Sequence, residues 1–194
     1  MSTNTITNAS ETDFVINPKK FVLWLIIVAS VMLFAGFTSA YIVRRGEGNW
    51  ELFNLPSNFI YSTIAIILSS VSMQLSTLSA KKLNHAKASL FLWFTLGLGI
   101  LFCVLQYLGW KQLIADNVYF AFSNPSNSFV YVITGVHLAH MIGGILFLSI
   151  VSIQSLSKTK NGSGMNIYHS MCNTYWHFIG ILWIYLYFFL YLNR

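Results

Sequence analysis

The sequence is poor in charge. Aspartate, glutamate, lysine and arginine together make up 8% of its 194 residues, against about a quarter in soluble domains. Hydrophobic residues make up 56% and aromatic residues 16%, and the mean hydropathy is +0.63. A soluble core of this size could not hide so much apolar surface, which leaves an integral membrane protein. Cysteine is scarce as well. Cys103 and Cys172 form no CxxC pair and no disulfide framework, and both read as small packing residues in or beside apolar runs. The first eighteen residues are polar and include Glu11 and Asp13. They lack the basic region, short apolar core and cleavage site of a secretory signal, so the first apolar run is expected to be a retained helix. No internal repeat is visible, which argues against a transporter built from inverted halves. The formal net charge of +6 comes without a basic stripe or a nucleic-acid motif, and no nucleic-acid partner is expected.

Long uncharged runs fill the rest. Five are long enough to cross a bilayer, which needs about 20 residues each: roughly 21–43, 57–80, 88–110, 128–154 and 171–192. None contains Asp, Glu, Lys or Arg. The runs are continuous rather than alternating, which excludes a β-barrel. Helices satisfy their own backbone groups in lipid, so the expected fold is all-α, a polytopic membrane bundle of five transmembrane helices. Residues 1–20 form a polar segment and 21–194 a single transmembrane domain. The segment Asn124-Pro125-Ser126-Asn127 reads as a turn in the longest loop, and 157–164 as a flexible polar connector. Lys19, Lys20, Lys81, Lys82, Lys87, Lys158 and Lys160 fall on the N-terminal side, against Arg44, Arg45, Lys111 and Arg194 on the other. That asymmetry favours a cytoplasmic N-terminus and an outer C-terminus.

Helical spacing suggests which faces pack. Asn173, His177, Gly180, Ile184, Tyr187 and Tyr191 stand 4, 3, 4, 3 and 4 apart, the spacing of a left-handed packing seam. His177 is therefore expected to point into the bundle and to hydrogen-bond there, with Asn173 and Tyr187 on the same stripe. Gly135, Ala139 and Gly143 make a small-residue stripe suited to close helix approach. His137, His140 and Gly144 stand on the opposite side of that helix. Ala29, Leu33, Gly36 and Ala40 form a similar seam on the first helix, flanked by Ser39. His85 and His169 read as loop residues.

Three readings of His137, His140 and His177 compete. Two helices could supply axial imidazoles to one haem, with His140 and His177 as the pair of a cytochrome b-type carrier. The three could hold a metal, although no carboxylate or thiolate accompanies them. They could be neutral imidazoles that hydrogen-bond between helices. The spans also lack the ionisable carboxylate that an intramembrane proton path normally uses.

Three segments resemble one family, in its order. GVHLAHMIGGILFL is similar to the G-x-H-x-x-H-x-x-G-G helix motif of subunit III of haem–copper terminal oxidases. TYWHFIGILWIYLYFFLYL resembles that family's Y-W-H-F-x-D-x-x-W-I-x-L-Y ending, and LFAGFTSAYIVRR its first helix in the shorter five-helix bacterial form. The resemblance implies a non-catalytic subunit in a bacterial cytoplasmic membrane, with its C-terminus in the periplasm. It implies packing against oxidase subunits I and II, within a complex that passes electrons to O2 and moves protons and that can join a larger respiratory supercomplex. Haem and copper then reside in the partner subunits and none in this chain, with phospholipid held in a helical cleft. His169 and Trp176 are the candidate lipid contacts. The sequence departs from the family pattern at three places. Ser30 stands where a glutamate is common, Gly180 where an aspartate is common, and 170–174 contain no acid.

Overall fold

The computed structural model describes residues 17–48, 50, 54–82, 84–120, 124–156 and 163–193. The rest of the polar N-terminal segment, Lys158 and Lys160 of the 157–164 connector, and Arg194 lie outside the described residues.

Five helices follow one another: α1 (Pro18–Gly46), α2 (Ser57–Lys81), α3 (His85–Ala115), α4 (Pro125–Leu156) and α5 (Ser163–Asn193). All five are long and apolar enough to cross a membrane. Each coincides with one apolar run, but most extend past it, because capping groups rather than hydropathy set their ends. Asn17 accepts the Lys19 N–H at 3.1 Å, ahead of Pro18 at the first turn. Asn84 accepts the Lys87 N–H at 3.3 Å. His85 is thus the first residue of α3 rather than a loop residue, and His169 lies inside α5. The 124–127 segment likewise starts a helix instead of turning. Asn124 accepts the Ser126 N–H at 3.3 Å, and Pro125 opens α4. At the other end of α3, Asn117 takes the left-handed conformation (φ 62°). The Val118 N–H then reaches the Leu113 carbonyl at 2.9 Å and the Asn117 N–H reaches that of Ile114 at 3.1 Å, closing the helix as a Schellman cap.

α2, α3, α4 and α5 form a closed ring in which each packs on the next and α5 returns to α2. α1 lies outside the ring against α4 and α5. It buries a single stripe of Leu23, Ile27, Ser30, Phe34, Thr38 and Tyr41. Side-chain bonds hold it parallel to α5: Lys19 to Tyr168 near one end, Tyr185 to Thr38 at 3.2 Å, and Tyr41 to the Asn193 carbonyl at 3.0 Å near the other.

The α2–α3 pair is stitched by hydroxyls. Ser69, Ser72 and Ser76 of α2 donate to the carbonyls of Thr95, Phe91 and Ala88 of α3 at 3.3, 3.0 and 2.9 Å. The falling partner numbers show that the helices are antiparallel. Such close approach needs small residues. A methyl added at Gly109 would stand 2.5 Å from the ring of the fully buried Phe59. Gly109→Val should therefore push α2 and α3 apart and cost about 1–3 kcal/mol, read as a lower midpoint of unfolding in detergent. An unchanged midpoint would mean that the two helices do not meet closely at this level.

Candidate functional site

The polar and aromatic residues that the sequence singles out converge on the interior of the four-helix ring, though not in the expected manner. The buried face of α5 is centred on Cys172, Trp176, Ile179, Trp183, Leu186 and Leu190, with Leu182 buried beside them. It has the predicted 4, 3, 4, 3, 4 spacing with every position displaced by one residue, about 100° around the helix. The indoles and aliphatic chains fill the ring interior, and the polar stripe is turned toward its edge. Gly180, on the predicted stripe, is buried at its margin.

Trp176 stands at the centre. It is fully buried, so it does not contact lipid, contrary to expectation. Its Nε1 donates to Ser69 Oγ at 3.0 Å, and Ser69 donates onward to the Thr95 carbonyl. This relay joins α5, α2 and α3. Two glycines make room for the indole and its neighbours. A methyl on Gly99 would lie 2.7 Å from Trp176 Cη2, and one on Gly144 would lie 2.8 Å from Ile179 Cδ1. One level away, the Trp183 Nε1 donates to Thr63 Oγ1 at 3.0 Å. Its ring meets Phe59 and Phe102 edge-on at 5.8 and 5.2 Å.

His137 shares that aromatic layer. Its ring lies 5.1 Å from Trp183, 5.9 Å from Phe102 and 6.3 Å from Phe34. It is wholly buried, and neither ring nitrogen has a hydrogen-bond partner. His137 is thus held by ring packing and forms no interhelical clasp. His140 packs on Phe34 of α1 at 5.5 Å. Its Nδ1 bonds to the Val136 carbonyl of its own helix at 2.8 Å, and since a carbonyl only accepts, the proton sits on Nδ1. The backbone of His140, rather than its ring, ties α4 to α5, by accepting from the Tyr175 hydroxyl at 3.3 Å. His177 is half-buried and bonds to no described residue. It lies between Asn173, which accepts from Thr77 of α2 at 3.2 Å, and Gly180, whose added methyl would meet Ser70 of α2 at 3.1 Å. His140 therefore faces α1 while His177 faces the α2 seam, so the two do not form the facing pair that a cytochrome b-type carrier needs. Tyr187 stacks with Tyr191 at 6.2 Å. His169 approaches Ser76 Oγ at 3.3 Å, within the α2–α5 contact.

The small-residue stripes behave differently from expectation. Ala29, Gly36 and Ala40 are exposed, as are Ala139 and Gly143. A methyl on Gly36 or Gly143 would meet nothing within 4 Å, and one on Gly135 would make only an ordinary contact with Trp110 at 3.9 Å. Among the described residues these stripes make no close helix contact, and the fully buried Phe34, Tyr41 and His137 lie on other faces of α1 and α4. Sequence reasoning missed several contacts. They include the serines of α2, the bond from Trp110 Nε1 to Thr134 at 3.0 Å, and the bond from buried Gln106 Nε2 to Ser62 at 2.9 Å. The serines at 69, 72 and 76 share one face, a signal available from spacing alone.

Comparison with known proteins supplies the context for this arrangement. The family model described as cytochrome c oxidase subunit III matches residues 1–193. A cytochrome bo(3) ubiquinol oxidase subunit 3 from Buchnera aphidicola subsp. Schizaphis graminum is 28% identical over 186 residues, covering 91% of this chain and 95% of that protein. A cytochrome c oxidase subunit 3 from Bacillus sp. (strain PS3) is 25% identical, covering 87% of this chain and 83% of that one. Another from Corynebacterium diphtheriae is 29% identical, covering 79% and 78%.

The unpartnered nitrogens of His137 give a sharp expectation. Each buried polar atom without a partner costs about 1–3 kcal/mol, and Phe would restore an all-apolar layer at the expense of slightly tighter packing. His137→Phe should leave unfolding in detergent unchanged or raise its midpoint. A loss of about 2 kcal/mol or more would show that the imidazole is hydrogen-bonded in the membrane.

Proposed function

Because this chain belongs to the cytochrome c oxidase subunit III family, we propose that it serves as the non-catalytic third subunit of a bacterial haem–copper terminal oxidase. In this reading it packs against the catalytic subunit I, within a complex that also holds the copper-binding subunit II, and it supports assembly and stability while the partners reduce O2 and translocate protons. The carrying observation is the match along nearly the whole chain to a family of oxidase subunits, on a fold of five spans. Relatives are named as subunits of both cytochrome c and ubiquinol oxidases. Haem and copper belong to the partners, membrane phospholipid is a further contact, and a respiratory supercomplex is a further level of assembly.

The chemistry of the interior supports a non-catalytic role. Its indoles, hydroxyls and amides bind one another across helices, which is what a scaffold requires. In the same reading the N-terminus is cytoplasmic and the C-terminus periplasmic, which the odd number of spans and the lysine and arginine asymmetry support.

The tagged chain, extracted from its own membrane in mild detergent, should co-purify with a many-helix haem-carrying subunit and a copper-binding subunit in equal amounts. Mass spectrometry and a reduced-minus-oxidised spectrum provide the check. Isolation alone, or with a transporter, would overturn the reading. In the orientation test, alkaline phosphatase fused to the C-terminus should be active, and a fluorescent protein fused to the N-terminus should fold. The reverse result would invert the topology.

A further inference from the structure

The outer lip of the α2–α5 seam carries two polar side chains that bond to no described residue. Two contacts fix the register of this seam. Thr77 of α2 donates to Asn173 of α5 at 3.2 Å, and Gly180 of α5 faces Ser70 of α2, whose hydroxyl would stand 3.1 Å from an added methyl. Between them, steps of three and four residues lead from Thr77 through Gln74 to Ser70 on one helix. Steps of four and three lead from Asn173 through His177 to Gly180 on the other. Residues at such spacing share a helix face. Gln74 and His177 therefore occupy the same level of the seam, one on each side. Gln74 is exposed and His177 half-buried, and neither bonds to the other or to any described residue.

Elsewhere the exposed surface of the spans is dominated by Ile, Leu, Val, Phe, Met, Trp and Tyr, side chains that hydrocarbon or the membrane interface accepts. An amide and an imidazole at one level of the rim are different, because lipid tails offer them no partner. Gln74 stands seven residues inside Lys81, about 10 Å along the axis at 1.5 Å per residue. With Lys81 at the level of the headgroups, as its charge requires, Gln74 lies below them. A polar side chain on a neighbouring transmembrane helix can reach this depth without thinning the bilayer.

We propose that Gln74 and His177 form the docking point at which a transmembrane helix of the haem-carrying oxidase subunit joins this chain through a hydrogen-bonding side chain of its own. This rests on the function proposed above. The α2–α5 seam is then the face turned to the catalytic partner. The exposed small-residue faces of α1 and α4 are turned to lipid.

The test is photo-crosslinking in native membranes, with benzoylphenylalanine placed at 74 or 177 and, as controls, at the exposed positions of Met32 on α1 and Leu101 on α3. Adducts with the haem-carrying subunit from 74 and 177, and none from the controls, are expected. Adducts with that subunit from the controls alone overturn the proposal, as do adducts only with lipid or with a second copy of the chain. In a second measurement, the Gln74→Leu, His177→Leu double variant should recover roughly tenfold less haem-carrying subunit in detergent, from the loss of two interhelical hydrogen bonds. Unchanged recovery overturns the proposal. The unmodified chain separates the two readings: if it co-purifies with the oxidase while these tests fail, only the docking face is wrong, and if it co-purifies with no oxidase subunit, the functional reading falls.

Discussion

Hydrocarbon offers no hydrogen bonds, so each hydroxyl, amide or indole N–H carried into the membrane must find its partner on another helix or its own. In this protein that constraint meets at Trp176. Its indole donates to Ser69, and Ser69 to a carbonyl of α3. Three of the four helices of the ring are joined by two bonds, and the indole also fills the space over Gly99. The neighbouring serines of α2 continue the same chemistry along α3. Trp183 repeats it one level away with Thr63. Small hydroxyl-bearing residues on α2 and large N–H-bearing rings on α5 are complementary parts of one device.

The aromatic layer around His137 follows a different logic. Phe34, Phe102 and Trp183 surround the imidazole, drawing α1, α3, α4 and α5 to one level. The contacts with Phe34 and Phe102 are edge-on and that with Trp183 is tilted; such ring contacts contribute beyond the area they bury, and they need no acceptor. The layer is how α1, which buries only one stripe, engages the ring at mid-helix. Bonds nearer its ends, to Tyr168 and Asn193 of α5, set its tilt.

These observations separate an interior committed to holding the chain together from an exterior free to meet others. A subunit whose work is association needs such a division. The family motif histidines fall on both sides of it: His137 within the core, His140 under α1, and His177 at the rim between α2 and α5. Residues that share a motif thus do not share a role, and the resemblance alone would not have separated them.

Much was legible in the residues. Scarcity of charge and the length of the apolar runs determined a membrane protein with five spans, and hydrogen bonding within helices determined that it is all-α. The family could be read from three short segments, and the 4, 3, 4, 3, 4 spacing on α5 from periodicity. What periodicity left undetermined was rotation. The same spacing passes through every residue of a helix, so it suits the stripe at 173, 177 and 180 as well as that at 172, 176 and 179. Only the neighbouring helices, with glycines at 99 and 144 and serines at 69 and 70, decided that the indoles turn inward and the polar stripe turns to the rim. On α1 the bulk of Phe34 and Tyr41 likewise outweighed the small-residue seam. Spacing is a property of one helix, whereas the choice of buried face depends on the volumes and hydrogen-bond partners of the others.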